Sequence, residues 1–251
     1  MALLKKDKVK PVIRPVQRPG AETNLLRPYH LPKLAPCMDA CPQGTDIRRF
    51  LMTIAQAQKY KRPQREAFIE AWQSITEKNP FPALCGYICP HPCETVCNRK
   101  EKDGALGVNF IERFLGDWAL AEGLELRRME RTPGTPDAFT EKIAVIGSGP
   151  AGLSCAYQLA RRGYSVTIFE ASAEPGGMLR GISSDRLPRQ VLDGEINRIL
   201  KLGVELRTNT AAGKDISYHS SDFAVITGSN CEADGILTPK DCKRKFYSFI
   251  C

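Results

Sequence analysis

Ile143-Ala144-Val145-Ile146 is an unbroken apolar run that passes at once into Gly147-Ser148-Gly149-Pro150-Ala151-Gly152 and then into a helical pattern over 150–162, which Gly163 ends. An apolar strand that turns on glycines straight into a helix narrows the possible folds to a few. Gly147 permits the sharp turn, Gly149 lets backbone amides reach a pyrophosphate, and Gly152 lets helix and strand pack closely. The helix N-terminus, with Pro150 and Ala151 in its first turn, offers unsatisfied N–H donors and the positive end of the helix dipole to phosphates, so Ser148 to Gly152 read as a dinucleotide cradle. Glu170 ends the next buried strand, Ser165-Val166-Thr167-Ile168-Phe169, where a carboxylate can bond ribose hydroxyls; it disfavours a 2′-phosphate. The turn does not separate NAD from FAD, and the bland alternative is a glycine loop without a ligand.

The alternation continues. A helix is expected at about 188–202, then Gly203 and the strand Val204-Glu205-Leu206-Arg207, then Phe223-Ala224-Val225-Ile226. Strands alternating with helices imply a parallel sheet. Between them, Gly176-Gly177-Met178-Leu179-Arg180 is by itself an ordinary turn signal, but paired glycines there would let the backbone approach a second section of a long cofactor.

The first half has a different character. Six of the ten cysteines fall within residues 37–97, as Cys37-x3-Cys41-Pro42 and Cys85-x3-Cys89-Pro90-x2-Cys93-x3-Cys97. The chain opens on Met1-Ala2-Leu3-Leu4 followed by charges and lacks the apolar core of a secretory signal, which places it in a reducing, cytoplasmic compartment where clustered thiols mean metal rather than disulfides. Structural zinc is usually held by C-x2-C to C-x4-C pairs. Consecutive x3 spacings with proline after the ligand favour an iron–sulfur cluster over zinc. His91, between Pro90 and Pro92, reads as a local hydrogen-bonding residue rather than a ligand. Helical spacing is expected after Thr45 and Asp46 (Ile47, Phe50, Leu51, Ile54, Ala55), after Pro63 (Phe68, Ala71, Trp72, Ile75) and over about 108–121 (Ile111, Phe114, Leu115, Trp118). The second cysteine group lies in a segment whose Pro and Gly content argues against a regular helix.

Composition separates the remaining pieces. Residues 1–36 carry eight Lys and Arg against two acids, with six prolines, out of a net charge of +8 for the chain. Such an arm runs extended and reads as a solvated or partner-embracing segment; with only Tyr29 among its cations and no nucleic-acid motif following, nucleic acid is not expected. No apolar run approaches the ~20 residues a bilayer requires, so no membrane insertion is expected. The expected organisation is an arm (1–36), a helical cluster domain (37–126), a polar linker holding Pro133, Gly134 and Pro136 (127–142), a partial Rossmann-like domain (143–230) and a tail (231–251).

Taken together, Cys37-x3-Cys41-Pro42, Cys89-Pro90-x2-Cys93-Glu94-x2-Cys97, Ile111-Glu112-Arg113-Phe114, Gly147-Ser148-Gly149-Pro150-Ala151-Gly152-Leu153, Glu170, Gly176-Gly177, Arg186-Leu187-Pro188 and Leu202-Gly203-Val204-Glu205 resemble the small subunit of NADPH-dependent glutamate synthase and its relatives, including the N-terminal part of dihydropyrimidine dehydrogenase. The resemblance spans about residues 35–228. It implies a small all-α domain with 4Fe-4S clusters followed by an incomplete α/β Rossmann-like domain that binds FAD. By position it implies one cluster on Cys41, Cys89 and Cys93 with Glu112 beside it, and Cys37 and Cys97 as ligands of a second. Gly147, Gly149, Gly152 and Glu170 would hold the adenosine diphosphate portion of FAD, with Gly177 and Arg180 near the flavin end.

The chain departs from the pattern in three places. Relatives carry two more cysteines before the position of Cys37, and Tyr29 to Pro36 has none; Cys85 is the candidate substitute. Gly181-Ile182-Ser183-Ser184-Asp185 stands where a Tyr-Gly-Ile-Pro type segment is usual. After Gly228 no second glycine turn for a nicotinamide cofactor follows. The expected function is an oxidoreductase subunit that relays electrons between FAD and cluster, with a redox partner or another chain supplying the NAD(P)H domain and with no catalytic acid, base or nucleophile. The alternatives are a truncated, non-catalytic remnant docking through its cluster domain, and a zinc-stapled interaction module.

Overall fold

A computed structural model describes residues 34–129, 139, 141–212, 215 and 224–227. The basic arm, most of the linker and the tail lie outside the described residues. Six helices come first: α1 (Pro36–Asp39), α2 (Ile47–Ala55), α3 (Gln64–Thr76), α4 (Pro82–Ile88), α5 (Pro92–Thr95) and α6 (Val108–Ala121). Then follow β1 (Lys142–Ile146), α7 (Pro150–Ala160), β2 (Ser165–Phe169), a 3₁₀ turn (Gly177–Gly181), α8 (Arg189–Leu200), β3 (Glu205–Arg207) and β4 (Ala224–Thr227). This is the expected order of an all-α domain and a parallel Rossmann-like sheet. No helix among the described residues is long and apolar enough to cross a membrane.

The prolines of the cysteine region act as helix starts. Pro36, Pro82 and Pro92 each occupy the first turn of a helix, where the missing N–H is no loss and the ring presets φ. The expectation that the second cysteine group avoids regular helix is therefore corrected: Cys85 lies in α4 and Cys93 in α5. Glycine serves α4 as a contact surface. A Cβ on Gly86 would stand 2.3 Å from the Arg113 Cβ, and one on Gly116 would stand 2.2 Å from the Ala83 nitrogen. The two helices are pressed backbone to backbone. On α6 this displaces the buried face from the expected one: Leu115, Gly116 and Ala119 are buried, whereas Phe114 is half exposed and meets Phe68 edge-on at 5.3 Å between ring centres.

All four strands are parallel, in the order β3-β2-β1-β4, with Ile143 opposite Val166 on one side and Ala224 on the other. The strand order reverses between β1 and β4, which makes the carboxyl end of β1 the switch point where open α/β sheets form their ligand crevice. Helical and sheet portions are not separate beads. One hydrophobic cluster runs from Trp72, Phe81, Leu84 and Ala119 into Val145, Leu153, Tyr157, Ile168, Leu192 and Ile196. A second, smaller cluster of Ile47, Phe50, Ala71, Ile75, Val108 and Leu115 has Cys37, Cys41 and Cys93 packed into its edge.

Candidate functional site

Two groups of residues form candidate sites. The first is a cavity lined by Cys41, Cys89, Cys93, Glu112, Asn79 and His91. Cys41 arrives from the turn that leads into α2, where the Asp46 side chain caps the helix by accepting the Arg49 N–H at 3.0 Å. Cys89 ends α4, and Cys93 sits in the single turn of α5. Between them His91 takes a left-handed backbone, φ 43°, which aims its N–H at the Cys89 sulfur, 3.4 Å away; its ring Nδ1 lies 3.1 Å from the Cys89 carbonyl. Backbone donors to ligand sulfur are a means by which proteins tune iron–sulfur centres. Glu112 comes from α6, with its carboxylate held by the Asn79 amide at 2.9 Å.

These groups repel one another. Burial pushes the Cys93 thiol up to about 12, reinforced by the nearby charges of Cys41, Glu94, Cys89 and Glu112. Cys89 is raised first by burial and then by Glu112, Cys41 and Glu94. Burial lifts Glu112 to about 7 despite the Asn79 bond. Three thiols and a carboxyl gathered and partly withdrawn from water are a poor arrangement by themselves and a good one around a positively charged inorganic core, which deprotonates the thiols it binds. The donor set thus fits a cluster held by three thiolates and one carboxylate.

Cys85 does not join them. One helical turn before Cys89, it faces the large shared core at 2% exposure, its sulfur 3.7 Å from the Asn79 amide oxygen, and it is not among the free thiols of the described residues. It belongs to the large core, whereas Cys89 leaves α4 in extended backbone and reaches the cavity. Cys37 in α1 and Cys97 after α5 are both partly buried and do not line that cavity.

The second site is the glycine turn. Gly147 has φ +89°, its N–H bonds the Phe169 carbonyl at 2.8 Å, and a Cβ at either Gly147 or Gly149 would meet nothing within 4 Å. That open space lies at the switch point, against the first turn of α7. Gly152 is different: a Cβ there would lie 2.0 Å from the Gly147 carbonyl oxygen, so this glycine serves helix–strand contact. The open cradle fits a pyrophosphate. Glu170 faces the turn, its carboxylate accepting the Ser148 N–H at 2.7 Å and the Ser148 hydroxyl, while its second oxygen takes the Ser172 N–H at 2.9 Å. These bonds hold its pKa below the usual carboxylate value against the opposing pull of burial. The second glycine pair closes on the first: Gly176 donates to the Ser148 carbonyl at 3.0 Å, and a Cβ on Gly177 would stand 2.9 Å from the Gly149 Cα. Arg180 bonds the Pro175 carbonyl at 2.7 Å and Asp193 at 2.5 Å, so its guanidinium ties this turn to α8.

Sequence reading missed the residues that join the two sites. Glu195 on α8 is fully buried and accepts the N–H groups of Ala83 and Leu84 at 2.8 and 2.9 Å. Tyr157 on α7 donates to the carbonyl of Thr76, at the end of α3. A buried Glu in an otherwise amphipathic helix was the available signal, and only its partners give it meaning.

The helical domain with its gathered cysteines and the glycine-turn sheet define a two-part class: an iron–sulfur type helical domain followed by a Rossmann-like domain. The family described as dihydropyrimidine dehydrogenase domain II, 4Fe-4S cluster, matches residues 32–124, and an NAD(P)-binding Rossmann-like domain matches residues 145–205. By these two matches the chain pairs a helical domain of that 4Fe-4S family with a Rossmann-like domain. It is 39% identical over 187 residues to an NADPH-Fe(3+) oxidoreductase subunit beta of Geobacter sulfurreducens, covering 73% of this chain and 26% of that one. It is 39% identical over 186 residues to the NAD-dependent dihydropyrimidine dehydrogenase subunit PreT of Escherichia coli, 73% and 42% of the two chains. It is 37% identical over 203 residues to an NADP(+)-dependent formate dehydrogenase subunit beta of Moorella thermoacetica, 73% and 27%. The chain therefore spans between a quarter and a half of the length of these relatives.

Proposed function

We propose that this chain relays electrons between an FAD seated on Gly147 to Gly152 and a 4Fe-4S cluster held by Cys41, Cys89, Cys93 and Glu112. The observation that carries the reading is the convergence of Cys41 with Cys89 and Cys93 around one cavity with Glu112, in the same compact unit as an open glycine cradle. When bound, flavin accepts electrons in pairs and the cluster passes them singly.

The residues of the chain bind and position. Gly149 leaves room for phosphate, Ser148 is oriented by Glu170, and the α7 N-terminus supplies amide donors. His91 directs its amide at the Cys89 sulfur, and Asn79 fixes the carboxylate of Glu112. Because relatives are named as subunits, we assign the exchange with NAD(P)H or with a terminal acceptor to a partner subunit, in a reducing cytoplasmic setting. The preference for FAD over NAD in the cradle rests on the resemblance, since the matched domain is described as NAD(P)-binding.

The test is anaerobic purification of the full chain followed by iron, acid-labile sulfide and flavin assays with a visible spectrum. Brown protein that holds iron and sulfide and releases flavin on denaturation is expected. Protein that stays iron-free after anaerobic reconstitution, or that carries zinc without sulfide, would overturn the cluster assignment. Cluster without flavin, even after incubation with FAD, would overturn the relay.

A further inference from the structure

We propose that a basic cavity between the carboxyl ends of α3 and α7 binds a small phosphate-bearing ligand, apart from the cluster cavity and the glycine turn. The cavity holds about 840 Å³, within the roughly 300–1,000 Å³ of small-molecule sites. Six Lys and Arg line it against two acids, Glu70 and Glu77. Glu77 is paired with Arg49 at 3.0 Å, and Glu70 with Arg62, which lies outside the lining, at 2.5 Å. Lys78, Arg127, Arg128, Arg161 and Arg162 are left with no carboxylate partner among the described residues.

Three of these cations are held in place by neutral oxygens. Arg161 donates to the Glu77 carbonyl at 2.5 Å. Arg162 donates to the Gln158 carbonyl at 2.5 Å and to its side-chain oxygen at 2.9 Å, and Arg128 to the Leu202 carbonyl at 2.9 Å. A neutral acceptor positions a guanidinium without cancelling its charge, and the remaining N–H groups form a planar fork that matches phosphate oxygens. The carboxyl ends of α3 and α7 contribute about half a negative charge each, roughly one against five. A triphosphate group matches the surplus, and a single carboxylate does not. Like charges gathered on a concave wall also concentrate anions there. The site is distinct from the glycine cradle, because the 11 residues of α7 put about 16 Å between its two ends. Among the described residues it shares only Gln43 with the cluster cavity.

The test is calorimetric titration of the full chain, with excess FAD present, by tripolyphosphate, by ATP and by a peptide of glutamates. Tripolyphosphate should bind at a single site. Lys78→Gln with Arg127→Gln, two exposed positions, should weaken that binding about tenfold or more, and Arg162→Gln at the opposite wall should weaken it separately. Lys100→Gln with Lys102→Gln, the same charge change on an exposed turn outside the cavity, should leave affinity within about twofold. Equal affinity for ATP and tripolyphosphate would support phosphate itself as the ligand, and tighter binding of ATP would support a nucleotide. Equal losses in the two double variants would show diffuse attraction to a basic chain and overturn the proposal. So would an absence of binding, or binding lost in Gly149→Ala and kept in the cavity variants. Uptake of the glutamate peptide without any response to tripolyphosphate would overturn it too, in favour of an acidic protein segment.

Discussion

The Glu195 carboxylate accepts the backbone N–H of Leu84 at 2.9 Å, so a helix of the Rossmann-like portion caps the helix that delivers Cys89. The cap is wholly buried, and Ala83 shares it at 2.8 Å. The Arg198 guanidinium, one turn further on α8, lies 5.2 Å from the Trp72 ring centre and partly offsets the buried charge. The position of the cluster-bearing helix is thereby tied to the nucleotide side of the molecule.

Glu195 gives stability a pH dependence. Burial pushes its pKa from an ordinary 4.5 to about 8, against the two amide donors and Arg198, with Asp117 adding to the rise. A carboxyl raised in the folded state keeps a proton that the unfolded chain releases, so its contribution is complete below pH 4.5 and is lost as pH rises toward 8. Glu195→Gln should flatten that decline, measured by chemical denaturation at pH 5 and pH 8. Glu195→Ala leaves two buried N–H groups unpaired and should cost roughly 1–3 kcal/mol at both.

Gly149 and Gly152 should separate binding from folding. Gly149 has φ −66° and open space at its Cβ position, so Gly149→Ala should leave the melting temperature nearly unchanged while lowering affinity for FAD about tenfold or more, followed by flavin fluorescence. Gly152→Ala drives a methyl into the Gly147 carbonyl and should destabilise the fold by about 1–3 kcal/mol. Equal melting temperatures for the two variants would contradict the assigned roles.

Glu112 should matter to the cluster more than to the fold. Glu112→Ala should weaken cluster retention about 10- to 100-fold, read as iron lost during chelator challenge, and Cys93→Ser should abolish it. Glu112→Gln keeps the Asn79 contact and should fall between. Iron retention in Glu112→Ala equal to that of the parent would remove Glu112 from the site.

Gly116 should report on the α4–α6 contact. Gly116→Ala places a methyl within 2.2 Å of the Ala83 nitrogen, and the helices can only separate. A loss of about 1–3 kcal/mol is expected, with faster iron release because Cys89 ends α4.

Much of the fold was legible because it is local. The strand before Gly147, the helix after it and the second strand to Phe169 follow from apolar runs and glycine punctuation, which do not depend on distant residues. Phe114 shows the limit. Helical spacing put it in the core, but the close approach of α4 to α6 at Gly86 and Gly116 turned that face of α6, and Phe114 was left half exposed against Phe68. The starts of α4 and α5 were misread for a related reason: proline was counted as a breaker where it begins a helix.

The sequence by itself determined the two halves and their order, the glycine turn and the presence of clustered thiols, since each is written in neighbouring residues. Only the tertiary structure decided which thiols meet. Cys85 lies within α4 and stays in the large core, whereas Cys89, just past the end of α4, packs against that core and also lines the cavity, and Cys41 joins Cys89 and Cys93 from a separate turn. The same holds for Glu195 over α4 and Glu170 over Ser148. Spacing along a chain fixes rotation about a helix axis, but which donors share a cavity depends on how the helices are packed.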